Sequence, residues 1–173
     1  PEIYTFFQSL LPIFETPLVR SAFFGRRNLR WPWPHNLFKR RTNTVFTHLT
    51  RRGKYVLMHP DSGEVLLLHL GMSGSVRIYQ QKPDLGQHDH FMLEMAPQIG
   101  NDTQSYVVLN DPRRFGWIDL FAESAILKHK LLASLGLEPL GNSFSAARLE
   151  AAFKGRSVHV KNALLNQALI AGS

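Results

Sequence analysis

Six short apolar segments, separated by turn-rich sequence, constrain the fold of this chain more than any other feature. Their length and their content of branched and aromatic residues predict β-strands. They cover residues 54–59, 64–70, 75–79, 91–95, 105–110 and 117–121. Because no long helical pattern lies between them, we predict antiparallel pairing in a sandwich or barrel rather than parallel β-α-β units. Asp61-Ser62-Gly63, between the first two segments, has the chemistry of a tight hairpin turn.

The last third of the chain changes to a helical pattern. Residues 122–135 are compatible with a helix, and residues 136–141 form a break. Ser145 is a suitable N-cap for a helix over residues 146–154, and a second helix is predicted over residues 160–170. We therefore expect a mostly β fold with flanking helices. An antiparallel β-sandwich domain would occupy residues 1–121, and a linker with the first helices of an incomplete α-helical domain would occupy residues 122–173.

Positive charge is concentrated in one segment of the sequence. The 173 residues hold 20 Lys and Arg against 13 Asp and Glu, a net charge of +7. Residues 16–60 contain no acidic residue and ten of the basic ones, so the other ten basic and 13 acidic residues leave the rest of the chain at −3. A concentrated positive field favours a polyanionic partner, most simply a nucleic acid, over a solvated face without a partner.

The sequence also excludes several classes of protein. It contains no cysteine, which rules out disulfides, thiolate zinc sites and cysteine nucleophiles within these residues. The longest aliphatic run near the middle, residues 65–68, is far too short for a membrane-spanning helix. The apolar N-terminal residues lack a basic leader and a small-residue cleavage site, so no signal peptide is predicted.

Two turn-like segments carry side chains that suit nucleic-acid recognition. Residues 69–75, His-Leu-Gly-Met-Ser-Gly-Ser, close an apolar strand, where Met72 either projects from the surface or fills the core. Residues 111–116, Asp-Pro-Arg-Arg-Phe-Gly, combine planar Arg donors with an aromatic ring that can wedge between stacked bases. The alternative for this segment is an ion pair of Arg113 or Arg114 with Asp111, and a core position for Phe115.

Two further positions have polar side chains with more than one interpretation. His88 and His90 have a spacing that allows metal binding, but the sequence shows no third ligand, and a phosphate contact is equally compatible. Lys54 begins an apolar strand, where it would contact a phosphate, take part in proton transfer or simply carry a surface charge.

The terminal residue offers a nucleophile if Pro1 is the true start of the protein. A terminal proline is a secondary amine, and a terminal ammonium has a pKa near ~8, so it can attack an electrophilic sugar carbon and form an iminium. The carboxylate of Glu2 would then serve as acid or base. The alternative is that Pro1 stands first only because the sequence was cut there.

Seven strings of the sequence resemble those of one family in order and spacing. They occupy residues 28–32, 51–55, 69–75, 88–90, 111–116, 135–140 and 161–167. Through them nearly the whole chain resembles bacterial formamidopyrimidine-DNA glycosylase. The resemblance implies base-excision DNA repair by a DNA glycosylase with AP lyase activity. Such an enzyme flips oxidised purines, namely 8-oxoguanine and formamidopyrimidines, out of the duplex and removes them by Schiff-base chemistry.

The resemblance implies roles for the residues of the two turn-like segments. Met72, Arg113 and Phe115 match the residues that fill the gap left by the flipped nucleotide. Phe115 would be the intercalating wedge, and Arg113 would face the orphaned base. Lys54 matches the lysine that assists strand cleavage after base loss and therefore counts among the catalytic residues.

Other matched positions imply contact with DNA, at His88, Arg113, Arg156 and Lys161. The resemblance implies that the partner is damaged double-stranded DNA and that the protein binds it as a monomer. It also implies a location in the bacterial cytoplasm, at the nucleoid, and no association with a membrane. No cofactor and no metal ligand are expected in this chain. The zinc of the family belongs to a C-terminal four-cysteine finger, which this sequence does not contain.

The N-terminus allows two alignments with the family motif Pro-Glu-Leu-Pro-Glu, whose first pair supplies the nucleophile and the acid or base. An ungapped alignment back from residues 30–32 places Pro1 and Glu2 on the second pair, so that both catalytic groups would be missing and Tyr4 would replace an acidic residue. The other alignment keeps Pro1 and Glu2 catalytic and needs a short deletion in the first helix.

The end of the sequence implies a fragment of reduced or no activity. It resembles the N-terminal domain and the start of the helix-two-turn-helix domain of the family. The alternative function is a catalytically inactive, basic nucleic-acid-binding remnant.

Overall fold

The computed structural model describes residues 2–14, 18–25, 29–34, 43–97, 103–142 and 144–173 of the chain. Pro1 lies outside these residues, and the side chain of Glu2 is also outside the description. Helix α1 and a short 3-10 helix open the chain, over Glu2–Leu10 and Leu11–Phe14. Within the described ranges eight strands follow: β1 Leu18–Phe24, β2 Thr44–Arg52, β3 Tyr55–Pro60, β4 Glu64–His69, β5 Ser75–Tyr79, β6 Asp89–Met95, β7 Ser105–Asn110 and β8 Trp117–Ala122. A 3-10 helix over Glu123–Lys128, α2 over Ala146–Phe153 and α3 over Val160–Leu164 complete the elements.

The strands are neighbours in the order β5-β7-β6-β1-β2-β3-β4-β8. Their antiparallel pairings group β5, β7, β6, β1 and β2 in one sheet and β3, β4 and β8 in another. The β3–β4 hairpin turns where the sequence predicts it, and Gly63 has the positive φ of 74° that such a turn requires. The predicted antiparallel β-sandwich fold is confirmed.

One apolar core forms between the two sheets and α1. Leu10, Phe46, Leu66 and Leu93 are fully buried in it. The ring of Phe14 meets that of Phe46 edge to face at 5.5 Å between centroids, an arrangement that the ring quadrupoles favour.

The strand prediction is right for six segments and misses β1 and β2. In β2 the buried side chains are Thr44, Phe46 and Leu49, with spacings of two and then three residues. This shift breaks the strict alternation by which a half-buried strand is recognised. β1 carries Arg20 and Ser21 among its apolar residues, which weakens its pattern in the same way.

The chain divides into two compact units. The first comprises Pro1–Arg51 and Tyr55–Glu123, and the second comprises Arg52–Lys54 and Ser124–Ser173. The expected domain division after residue 121 stays a prediction. No helix in the described part of the chain has both the length and the apolar character to span a membrane.

Within the second unit the helices are shorter than the sequence predicts. Ser145 caps α2 as expected, because its hydroxyl accepts a hydrogen bond from the Arg148 N–H at 3.3 Å. Residues 122–135 contain a short 3-10 helix instead of a long helix. The predicted helix over residues 160–170 ends at Leu164, since Asn166 turns the backbone: its Oδ1 accepts from the Ala168 N–H at 2.9 Å.

Candidate functional site

Two loops come together because of the way the strands on either side of them are paired. We call residues 70–74 the Met72 loop, which joins β4 to β5, and residues 111–116 the Phe115 loop, which joins β7 to β8. β4 pairs with β8 so that His69 lies opposite Trp117, and β5 pairs with β7 so that Ser75 lies opposite Asn110. Both loops therefore connect the β4–β8 pair of one sheet with the β5–β7 pair of the other, side by side and in opposite chain directions.

The buried carboxylate of Asp111 joins the two loops. Asp111 is 0% exposed. Its Oδ1 accepts a hydrogen bond from the Ser73 hydroxyl at 2.5 Å, and its Oδ2 accepts from the Gly116 N–H at 2.7 Å. Its own N–H donates to the His88 carbonyl at 2.9 Å. Because both carboxylate oxygens are engaged in this way, Asp111 holds the loops and is not the partner of Arg113 or Arg114 that one sequence interpretation suggests.

The backbones of the two loops touch, and glycine is what allows the contact. Gly71 has a φ of 68°, and a Cβ at this position would lie 2.4 Å from the carbonyl carbon of Phe115. A Cβ on Gly116 would lie 2.8 Å from the His69 carbonyl oxygen. Any larger residue would push the loops apart.

Three side chains project together from this junction. Met72 is 75% exposed and Phe115 is 38% exposed, so neither fills the core. The guanidinium of Arg113 lies with Cζ 4.6 Å from the centroid of the Phe115 ring, and its Nη2 lies 3.9 Å from the Met72 sulfur. An apolar and cationic tip of this composition can insert between bases and pair with polar base edges. All three residues are candidates from the sequence, and the structure brings them together.

His88 lies beside the Phe115 loop, at a cleft. The cleft is lined by Phe23 of β1 and by residues of two loops, among them His88, Pro112 and Arg114. His88 Nε2 accepts a hydrogen bond from the Gln87 amide at 2.9 Å. An imidazole and a guanidinium that line one cleft suit an anionic or hydrogen-bonding ligand.

The other residues of the His88 segment are structural. His90 is buried, and its Nε2 lies 3.0 Å from the Asp111 carbonyl oxygen. Asp89 accepts hydrogen bonds from the Asn110 amide and from the Gly86 N–H, each at 2.8 Å. His90 therefore supports the Phe115 loop.

An aromatic stack lies at the base of the Met72 loop. The ring centroids of His69 and Trp117 lie 4.1 Å apart in a stacked arrangement. Trp31 also stacks on Trp117, with 5.2 Å between the ring centroids. His69 Nδ1 accepts from the Gly71 N–H at 2.9 Å, which ties the stack to the loop. The ring centroids of Tyr55 and His69 lie 5.0 Å apart. Burial raises the pKa of the Tyr55 phenol.

Sequence reasoning missed Asp111 and His69 as organisers of the site. Each is the first residue of its motif, and a polar residue at the point where a buried strand gives way to a turn is the signal that would have found them.

Lys54, Arg156 and Lys161 belong to the second unit. The Lys54 ammonium donates to the Ser173 carbonyl at 2.5 Å. The Arg156 Nε donates to the Ala152 carbonyl at 2.8 Å, just after the end of α2. The Lys161 side chain is exposed in α3. Glu2 begins α1.

Beside Lys54 a network closes the turn of the second unit. Arg52 donates to the carbonyls of Leu135 and Gly136 at 2.8 and 2.6 Å, and it pairs with Glu138 at 3.3 Å. Glu138 also accepts from the Gly53 N–H at 2.9 Å. This network fixes the backbone from which the Lys54 side chain extends.

Comparison with known proteins identifies the family. The family model described as the formamidopyrimidine-DNA glycosylase N-terminal domain matches residues 1–118. Curated proteins named formamidopyrimidine-DNA glycosylase are similar over 99% of this chain: one from a Ruegeria species is 42% identical, and one from Azorhizobium caulinodans is 41% identical. The chain spans 62% and 61% of the length of these two relatives.

Solved structures share the fold. The Lactococcus lactis formamidopyrimidine-DNA glycosylase bound to DNA with an AP site superposes with a TM-score of 0.84 at 24% identity, and the alignment covers 100% of this chain and 64% of that one. The complex of the same enzyme with DNA that contains a formamidopyrimidine lesion gives the same TM-score and identity, over 63% of its chain. Because the family model matches more than half of the residues of this chain, the chain belongs to the formamidopyrimidine-DNA glycosylase family.

Proposed function

We propose that this chain is the N-terminal part of a base-excision DNA glycosylase that removes oxidised purines from double-stranded DNA and then cleaves the strand as an AP lyase. The observation that carries the proposal is the joined tip of Met72, Arg113 and Phe115. A flipped nucleotide leaves a gap in the base stack, and that gap must be filled for the flipped state to persist. The tip offers an apolar wedge, a flexible thioether and a planar cation for this purpose.

Each side chain of the tip has a separate task in this proposal. The Phe115 ring enters the stack, where contact with neighbouring bases offsets the lost stacking. Arg113 lies over that ring, from where its fork of donors reaches the edge of the orphaned base. Met72 adapts its shape to the remaining space.

The excision chemistry requires an amine nucleophile and an acid. In our proposal the Pro1 amine attacks C1′ of the damaged nucleotide, the glycosidic bond breaks and the base leaves with its electron pair, protonated by an acid such as Glu2. The C1′–O4′ bond of the sugar then breaks, O4′ takes up a proton, and the nitrogen lone pair forms the iminium that links enzyme and sugar. Loss of a proton from C2′ then allows the 3′ phosphate to leave. Lys54 assists that elimination. These roles apply only in the alignment that makes Pro1 and Glu2 the first Pro-Glu pair of the family motif.

Binding would rest on contacts to the DNA backbone. His88, Arg156 and Lys161 are the positions proposed for such contacts, together with the basic residues of segment 16–60. In this proposal the protein binds DNA as a monomer, and it acts in the bacterial cytoplasm. We expect these 173 residues, taken by themselves, to bind and act more weakly than the longer relatives.

Borohydride trapping tests the chemistry directly. The chain is incubated with a duplex that carries an abasic site, and sodium borohydride reduces any iminium to a stable adduct. We expect a low yield of adduct, which acetylation of the terminal amine abolishes. Absence of any adduct from the unmodified chain contradicts the assignment of Pro1 as the nucleophile.

A second function is favoured by the other alignment of the N-terminus. In that case the chain is a catalytically inactive, basic nucleic-acid-binding remnant. It would bind intact and damaged duplexes equally, and its affinity would fall steeply with salt.

A further inference from the structure

A cluster of three metal-binding side chains lies in the first unit, away from the two loops. It consists of His48 on β2, His59 on β3 and Glu123 at the start of the 3-10 helix after β8, and one potential ligand atom of each lies within 4.8 Å of the others. The two loops adjoin the end of the β4–β8 pair at which His69 lies opposite Trp117. Glu123 follows the other end of this pair, at which Glu64 lies opposite Ala122. Five residues of strand separate the two ends by roughly 17 Å, so the cluster is distinct from the loop site.

We propose that His48, His59 and Glu123 bind a divalent metal ion, with Zn²⁺ as the preferred ion and a water molecule in the fourth coordination position. Two imidazoles and one carboxylate are a ligand set that Zn²⁺ accepts with tetrahedral geometry and an open position. Imidazole-rich sites also accept Ni²⁺ and Cu²⁺. The proposal concerns a site for a metal ion and is independent of the glycosylase chemistry.

The hydrogen bonds of the two rings assign the ligand atoms. His59 Nε2 lies 2.7 Å from the Thr50 hydroxyl, and its Nδ1 lies 3.0 Å from Glu123 Oε1. His48 Nδ1 lies 2.9 Å from the Thr47 hydroxyl, which leaves Nε2 as its ligand atom. Histidine ligands in proteins commonly hold their second nitrogen in such a hydrogen bond, which selects the tautomer that leaves the other nitrogen available to the metal.

The proton balance of the site is favourable for metal binding. Without metal, His59 Nδ1–H can donate to Glu123 while the Thr50 hydroxyl donates to Nε2. With metal on Nδ1, the ring proton resides on Nε2 and donates to the Thr50 oxygen, because a hydroxyl is both donor and acceptor. No proton has to leave the ring.

One local movement completes the site. The rings of His48 and His59 are stacked at 4.1 Å with 10° between their planes, so their nitrogen lone pairs do not yet converge. His48 is exposed, and its ring can turn to aim Nε2 at the space beside His59 Nδ1 and Glu123. A metal held there would join β2 and β3 to the segment that leaves β8, and it would stabilise the folded sandwich by binding it selectively.

Metal titration of the full 173-residue chain tests the proposal. The protein is freed of metal with a chelator and titrated with Zn²⁺ by calorimetry, and with Co²⁺ by visible absorption, which reports tetrahedral coordination. We expect one equivalent of Zn²⁺ to bind and the unfolding temperature to rise with it. His48→Ala and Glu123→Gln change exposed side chains, so both variants should fold, and each should bind Zn²⁺ at least about tenfold more weakly.

The control is His159→Ala, which removes an exposed histidine of the second unit. It should leave the affinity and the thermal shift unchanged. The proposal is overturned if the chain binds no stoichiometric Zn²⁺, or if His48→Ala and Glu123→Gln bind it as tightly as the unaltered chain. Equal weakening by His159→Ala would also overturn it, because the binding would then be unspecific.

Discussion

The Ser73 hydroxyl donates a 2.5 Å hydrogen bond to Asp111 Oδ1 and so links two loops that lie 38 residues apart in the sequence. Because Asp111 is buried and its other oxygen accepts from the Gly116 N–H, Asp111→Ala would leave two donors without their acceptor. We expect a loss of about 1–3 kcal/mol in the free energy of unfolding for each donor that stays buried, measured by urea denaturation. Asp84→Ala, at an exposed loop position, is the control and should change stability by less than about 0.5 kcal/mol. Equal stability of the two variants would contradict the role of Asp111.

Gly71→Ala should destabilise the protein more than Gly63→Ala. Both glycines have positive φ, 68° and 74°, so the backbone strain is similar. The added Cβ meets the Phe115 carbonyl at 2.4 Å in one case and nothing within 4 Å in the other. The strain alone costs roughly 1–2 kcal/mol, and the difference between the variants in urea denaturation isolates the clash between the loops. A difference of zero would mean that the loops do not touch.

Phe115→Ala should weaken binding to a duplex with an abasic site without unfolding the protein. The ring is partly exposed at the tip, and its loss removes base stacking worth about 1–3 kcal/mol. Fluorescence anisotropy with a labelled duplex measures the affinity. Leu127→Ala is the matched control, since it removes an apolar side chain that is 87% exposed in the second unit. If both variants bind like the unaltered chain, Phe115 is not the wedge.

Lys161→Ala should reduce the salt dependence of DNA binding. A phosphate contact releases about one counterion, so the slope of log affinity against log salt concentration should become shallower by about 0.9. Lys128→Ala removes another exposed lysine and should leave the slope unchanged. The same slope for Lys161→Ala as for the unaltered chain would argue against a phosphate contact.

The sequence predicts the strands of this fold better than its helices. Strands β3 to β8 have strong apolar segments and clear turns, whereas β2 loses its alternation between Phe46 and Leu49. The helix at Val160 ends early because the Asn166 side chain turns the backbone, an effect that apolar spacing does not reveal.

The tip residues Met72, Arg113 and Phe115 are predictable because their strings are distinctive, but the way they are held is not. It depends on the pairing of β4 with β8 and of β5 with β7, which brings Ser73 to Asp111. Long-range pairing of this kind cannot be read from either string alone. The same holds for the cluster of His48, His59 and Glu123, whose members come from three separate elements.

The central claim is that the joined tip recognises a gap in the base stack. The most direct test is the affinity of the chain for two duplexes of identical sequence, one intact and one with a stable abasic analogue, measured by anisotropy at the same salt concentration. We predict tighter binding of the abasic duplex by at least about tenfold, because less stacking has to be disrupted there. Equal affinity for the two duplexes would contradict the claim and would leave a basic protein that binds DNA without regard to damage.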